Sequence, residues 1–189
     1  MTLRVIAGKA KGRKLKTVEG DTTRPITDRT KESLFNILGG DVIDSNWWDV
    51  FAGTGAVGIE ALSRGAKFVR FTDMNRPPID TIKYNVEHCG FKAQSDIRRA
   101  DSFSYLSQSP DQQFEYIYIA PPQYKEMWIK ALELVDDNLG WLTDDAWVIA
   151  QIAPREYRES KPTLKHLEEF DQRQYGNTLL IFYEKKIES

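Results

Sequence analysis

Short apolar runs alternate with longer amphipathic stretches along most of this chain, and that alternation predicts the fold class. From Trp47 onward an apolar segment, Trp47 to Phe51, is followed by a helix Ala56 to Arg64, a strand Phe68 to Thr72, a helix Pro78 to His88 and a strand Ile97 to Arg99. The pattern continues with a short helix near Phe103, a strand Tyr116 to Ala120, a helix Lys125 to Val135 and a strand Trp147 to Ile152. Strands separated by helices need crossover connections, which predicts a doubly wound, mostly parallel α/β sheet. Two late segments, Thr163 to Phe170 and Thr178 to Tyr183, have no helix between them and predict an antiparallel pair.

The beginning of the chain reads differently. Leu3 to Ala7 and Lys14 to Val18 alternate around the glycine- and lysine-rich stretch Gly8 to Arg13, the pattern of a basic β-hairpin. A loop through Thr23-Arg24-Pro25 leads to a helix that Thr27 or Asp28 can cap. Leu34, Ile37 and Leu38 share one face of it, and Gly39-Gly40 end it. With 189 residues, no internal repeat and no low-complexity linker, a single domain is expected. It divides into a basic hairpin and loop, 1–31, and a core, 32–189.

The net charge of −2 does not advertise a polyanionic partner, but its distribution does. Met1 to Lys31 holds nine basic residues against three acidic ones, a surplus of six, so the rest of the chain carries −8. Cations interleaved with Gly8 and Gly12 suit phosphate contact, and Arg4, Lys9, Lys11, Arg13, Arg24 and Arg29 are the candidates. A single cysteine, Cys89, excludes an intrachain disulfide and an all-cysteine metal cluster, and neighbouring His88 points away from it on a helix, so no metal is expected. The basic start lacks the apolar segment of a signal peptide, and no apolar run approaches the ~20 residues of a membrane helix, so an intracellular, cytoplasmic protein with no membrane partner is expected. Trp47 and Trp48 read as core residues, and Tyr84 and Asn85 are assigned no chemistry.

Asp49-Val50-Phe51-Ala52-Gly53-Thr54-Gly55-Ala56-Val57-Gly58 sets a glycine-rich turn between a strand and a helix. Such a turn lets a ligand approach the backbone, but its G-x-G-x-x-G spacing alone fits several nucleotides. Asp49, just before the turn, would oppose a pyrophosphate and suit the amino and sulfonium cations of S-adenosylmethionine. Asp73 closes the second strand, where a carboxylate can accept both ribose hydroxyls. Asp101, after the third strand, is placed to contact an adenine amino group or to cap the helix near Phe103. Ile119-Ala120-Pro121-Pro122-Gln123-Tyr124 follows the fourth strand of the set. Its prolines end that strand stiffly, and Tyr124 offers an aromatic face on which a base swung out of its stack can lie.

These residues together resemble a known family. Arg4-Val5-Ile6-Ala7-Gly8-Lys9, Lys11-Gly12-Arg13-Lys14-Leu15, Thr23-Arg24-Pro25 with Thr27-Asp28-Arg29, and the stretch Asp49 to Ala66 are similar to the RsmD-type 16S rRNA guanine-N2 methyltransferases. The resemblance covers most of the chain. It implies a Rossmann-like S-adenosylmethionine-dependent methyltransferase sheet of seven strands, mostly parallel, with an antiparallel C-terminal pair and an N-terminal basic hairpin. It also implies a guanine of small-subunit ribosomal RNA as target, free or in an assembling subunit, and a monomer is expected. Asp49, Phe51, Gly53, Gly55, Asp73 and Asp101 would then hold the cofactor, and Pro121, Pro122, Gln123 and Tyr124 the base.

Two positions depart from the family pattern, the milder being Asp73, where many relatives carry Glu and ribose binding is kept with a shorter arm. The family carries Asp or Asn, followed by Pro-Pro-Tyr, where this chain has Ala120, with Gln123 inserted before Tyr124. The family's Asp or Asn oxygen orients the target amino group, and alanine has no such oxygen. The Pro121 carbonyl or the Gln123 amide could replace it. Two other readings stay open at this point: a non-catalytic RNA-binding or assembly protein that keeps the cofactor pocket, and an NAD-dependent oxidoreductase.

Overall fold

The computed structural model describes residues 2–20, 25–122 and 126–188. Helix α1, Asp28–Leu38, opens on Thr27, whose side chain accepts from the Thr30 N–H, and ends at Gly39. The strands are β1, Asn46–Asp49; β2, Phe68–Asp73; β3, Ser95–Arg99; β4, Phe114–Ile119; β5, Leu142–Ile152; β6, Leu167–Tyr175; and β7, Thr178–Lys185. Between them lie α2, Ala56–Ser63; α3, Arg76–His88; α4, Ser102–Leu106; α5, Met127–Asp137; and α6, Pro154–Glu159. The periodicity predicts every one of these except α6, a six-residue helix too short to show a repeat.

The strands form one seven-stranded sheet in the order β3-β2-β1-β4-β5-β7-β6. β3, β2, β1, β4 and β5 run parallel, while β7 lies antiparallel between β5 and β6. The order reverses between β1 and β4, the point at which open sheets of this kind form a crevice beyond the carboxyl ends of their strands. Successive residues enter opposite faces. Trp47 packs with α1, α2 and α3, whereas Trp48 packs with Tyr105 of α4 and Trp128 of α5. Both indoles are fully buried. The sheet's outer strand β6 is different: its register slips between Glu169 and Asp171, and most of its side chains are exposed.

A buried arginine fixes the β2–β3 end of the sheet. Arg70 Nη1 and Nη2 each lie 2.9 Å from an oxygen of Asp111, and its Nε lies 3.1 Å from Asp96. Its guanidinium sits among the rings of Trp48, Tyr105, Phe114 and Trp141. A planar cation can satisfy two carboxylates at its edge and stack on rings with its face, which makes burial tolerable.

The basic arm runs antiparallel as expected, but its regular pairing is one bridge, Arg4 to Lys14, rather than a ladder. Backbone hydrogen bonds cross the arm around it, from the Val5 N–H to the Arg13 carbonyl at 2.9 Å, the Gly12 N–H to the Val5 carbonyl at 2.9 Å and the Leu15 N–H to the Leu3 carbonyl at 2.8 Å, while other donors turn to the helices. The N–H groups of Ile6 and Ala7 donate to the Glu60 carboxylate at 3.0 and 3.1 Å, and the Ala10 N–H donates to Ser63 Oγ at 2.9 Å. Leu3, Val5, Ala10 and Leu15 are buried in the cluster formed with α1, α2 and α3. The arm is thus paired with itself and also sewn onto the helices. Lys31, counted in the arm's basic surplus, is fully buried 3.6 Å from Glu60 and donates to the Arg4 carbonyl. Burial holds its pKa below the ordinary lysine value, an effect Glu60 only partly offsets.

Candidate active site

The glycine turn follows β1 at the carboxyl edge of the sheet and is bound on every side. The Ala52 N–H donates to the Thr72 carbonyl at 2.9 Å and the Gly55 N–H to the Ala52 carbonyl at 2.7 Å. The Val50 carbonyl accepts from the Thr72 hydroxyl at 2.7 Å and the Ser102 hydroxyl at 2.6 Å. Gly55 precedes α2 with φ of 79°, the left-handed conformation that glycine adopts without strain. Gly58 serves packing: a Cβ there would lie 2.3 Å from the Phe71 ring.

Two carboxylates frame this turn. Asp73 Oδ2 accepts the Gly53 N–H at 3.2 Å and Oδ1 the Asn75 N–H at 3.0 Å. The acid therefore fastens the turn to the end of β2 before any ligand arrives. Asp49 is buried behind the turn, and a hydrogen bond with the Gly58 backbone reaches its carboxyl. Loss of hydration, together with the negative charge of Asp73, pushes its pKa up to about 7, against the pull of that hydrogen bond. Asp49 is thus a shielded charge under the turn rather than an exposed contact.

The remaining sequence candidates fall around this edge. Asp101 caps α4, with Oδ1 accepting the N–H groups of Phe103 at 2.9 Å and Ser104 at 3.4 Å. Its helix-cap reading therefore accounts for its observed hydrogen bonds. Phe51 packs edge-on against Phe103 at 5.8 Å. Ala120 and Pro121 are half-buried and Pro122 is exposed at the end of β4, whereas Gln123 and Tyr124 lie outside the described residues. Arg24 also lies outside them. Lys9, Lys11 and Arg29 are exposed. Arg4 pairs with Asp28 at 3.0 Å, and Arg13 donates to the His88 carbonyl at 2.8 Å.

Sequence reading missed two residues here. Asn85 is fully buried, and its side chain joins Lys16 of the arm to Thr54 of the glycine turn. The available signal was a polar residue set among Ile79, Ile82 and Val86 on the apolar face of α3. Met74 follows Asp73 at the open edge and is 59% exposed, an apolar side chain left beside the framing acid. Among the described residues no group of three or more His, Cys, Asp and Glu side chains could hold a metal, and no helix is long and apolar enough to cross a membrane.

Comparison with known proteins decides the family. The family model "Conserved hypothetical protein 95" matches residues 3–184. Ribosomal RNA small subunit methyltransferase D of Haemophilus influenzae is 34% identical over 152 residues, covering 79% of this chain and 78% of that protein. The chain belongs to the RsmD family of methyltransferases. The YlbH protein of Bacillus subtilis is 37% identical over 186 residues, covering 97% of this chain and 100% of that relative. The solved structure of the yhhF protein of Escherichia coli superimposes with a TM-score of 0.84 at 26% identity, covering 98% of this chain and 99% of that one. The Rossmann-like methyltransferase fold implied by the sequence is therefore the fold of this chain, with the family's glycine turn at its sheet crevice.

Proposed function

We propose that this member of the RsmD family is a cytoplasmic S-adenosylmethionine-dependent methyltransferase acting on the N2 amino group of a guanine in small-subunit ribosomal RNA. The observation that carries the cofactor assignment is Asp49, a buried carboxyl directly behind the glycine turn. Asp73 at the end of β2 suits the ribose of either cofactor, so the discrimination lies with Asp49: buried behind the turn, it would oppose a pyrophosphate and suit a ligand with sulfonium and ammonium groups. That argument, with the family membership, disfavours the NAD reading.

The residues present fit the cofactor. A carboxylate has about four acceptor positions, and the two backbone N–H groups on Asp73 leave others for ribose hydroxyls. Gly53 and Gly55 keep the backbone open to it. Phe51 and Met74 offer apolar surface to the base, and Asp101 lies at the same edge. When bound, S-adenosylmethionine supplies a methyl carbon already activated by a positive sulfur. The chain's own task is then to orient the nucleophile and exclude water. Pro121, Pro122, Gln123 and Tyr124 hold the guanine, while Arg4, Lys9, Lys11, Arg13, Arg24 and Arg29 grip the RNA backbone.

Calorimetry with S-adenosylmethionine and with NAD tests the cofactor, and heat with NAD alone overturns it. Mass spectrometry of ribosomal RNA from cells with and without the protein tests the reaction. Loss of one N2-methylguanine is expected, and an unchanged profile favours a non-catalytic assembly protein.

A further inference from the structure

We propose that Gln151 supplies the acceptor for the target amino group that Ala120 lacks, with the Tyr118 hydroxyl holding it in place. The inference rests on the guanine-N2 reading and deepens it. β4 and β5 pair in parallel with Tyr118 beside Ile149 and Ile119 beside Ala150, and Ala120 and Gln151 are the residues that directly follow that last pair. Alternation puts both on one face. Tyr118, Ile149 and Ala120 pack in one apolar cluster, whereas Ile119 and Ala150 pack in the other.

Gln151 is half-buried at the carboxyl edge of β5, and the Tyr118 hydroxyl donates to its Oε1. Tyr118 is buried, and burial together with the charge of Asp49 holds its phenol protonated, so it remains a donor. The hydrogen bond runs from the phenol to the amide oxygen, which leaves the amide nitrogen facing away from Tyr118. Oε1 keeps a second lone pair, and Nε2 donates to no group among the described residues.

Ala120 is half-buried and ends at its Cβ, so it offers no acceptor of its own. An amide's neighbouring acceptor and donor match the N2–H donor and N3 acceptor on the sugar edge of guanine, whereas a carboxylate would face N3 with a second acceptor. With one N2–H held by Oε1, the N2 lone pair takes the methyl carbon as the carbon–sulfur bond breaks, its electron pair going to sulfur. One N2 proton then passes to water. Gln151 and Tyr118 keep their protonation throughout.

The test compares the parent with Gln151→Ala, the near-isosteric Gln151→Met, and Gln151→Ala combined with Ala120→Asp. Single-turnover methyl transfer to small-subunit RNA, calorimetric S-adenosylmethionine affinity, and RNA affinity in the presence of S-adenosylhomocysteine are measured for each. Both single variants should transfer about 10- to 100-fold more slowly, the effect of one hydrogen bond to the reacting group, with cofactor affinity unchanged. Ala120→Asp should recover part of the loss. Parent-like transfer by Gln151→Ala and Gln151→Met overturns the role of Gln151 and leaves the methyltransferase reading standing. A parent that binds S-adenosylmethionine but modifies no guanine overturns both.

Discussion

The side-chain amide of Asn85 pairs with the backbone of Lys16 in both directions, accepting its N–H at 2.8 Å and donating to its carbonyl at 3.0 Å. The same Nδ2 donates to the Thr54 carbonyl at 2.9 Å. One buried residue of α3 therefore ties the basic arm to the glycine turn. Asn85→Ala leaves three backbone groups without this partner and should cost about 2–4 kcal/mol in urea unfolding, with weaker S-adenosylmethionine binding in the folded fraction. A loss below about 0.5 kcal/mol would show that water takes over the site.

Asp73→Ala should abolish most cofactor affinity. Charge-assisted hydrogen bonds to the ribose are worth roughly 1.5–3 kcal/mol each, and the Gly53 N–H loses its partner as well. Calorimetry on the folded variant decides it: near-parent affinity would reduce Asp73 to a fastening for the turn.

Asp49 gives a pH dependence of definite sign. Its carboxyl is raised from 3.8 to about 7 in the folded chain, so the folded state holds the proton more tightly than the unfolded state does. Below the unfolded value there is no effect. The cost of a buried charge then grows as pH rises toward 7 and is complete above it. Asp49→Asn should be nearly neutral at pH 4 and more stable than the parent at pH 8, by as much as ~4 kcal/mol for about three pKa units. Chemical unfolding of both proteins across that range measures it, and a difference independent of pH would contradict the buried charge.

Replacing Lys9, Lys11 and Arg13 by Ala should weaken RNA binding and flatten its salt dependence, by about 0.7–0.9 in the log–log slope for each phosphate no longer neutralised. Because Arg13 also anchors to the His88 carbonyl, Lys9 and Lys11 should carry more of the slope than Arg13. Cofactor affinity should hardly change. A slope equal to the parent's would mark the arm as a solvated face.

Arg70→Lys keeps the charge but loses the fork that meets Asp111 through two nitrogens and Asp96 through a third. A loss of roughly 1–3 kcal/mol in thermal unfolding is expected. An unchanged melting temperature would mean that an ammonium fits the aromatic cage equally well.

What could be read from the chain follows from the range of each signal. Helix caps, glycine turns and strand alternation are local, so α1, the turn before α2 and the antiparallel β6–β7 pair were legible. Partners distant in sequence were not. Arg70 looks like any residue of an alternating strand until Asp111, 41 positions away, is brought beside it. Gln151 looks like the end of a strand, and only the pairing of β4 with β5 and the hydrogen bond from Tyr118 bring it to the end of β4. The arm looks like a hairpin because its alternation is real. Nothing local announces that Glu60 and Ser63 take its backbone donors. Asp49 and Asp73 are legible as residues but not as a coupled pair, since their interaction depends on burial.

The outer strand β6 carries one further consequence. An open sheet edge is a row of unpaired backbone groups that a second chain can extend. Here that row is broken by the slip between Glu169 and Asp171 and flanked by Glu168, Glu169, Asp171 and Arg173. An incoming strand would find its hydrogen-bonding rhythm interrupted midway and would have to strip water from charged side chains to continue. The sheet can therefore end in solvent without a covering helix, and an apolar residue such as Phe170 can stay at its margin without nucleating a fibre.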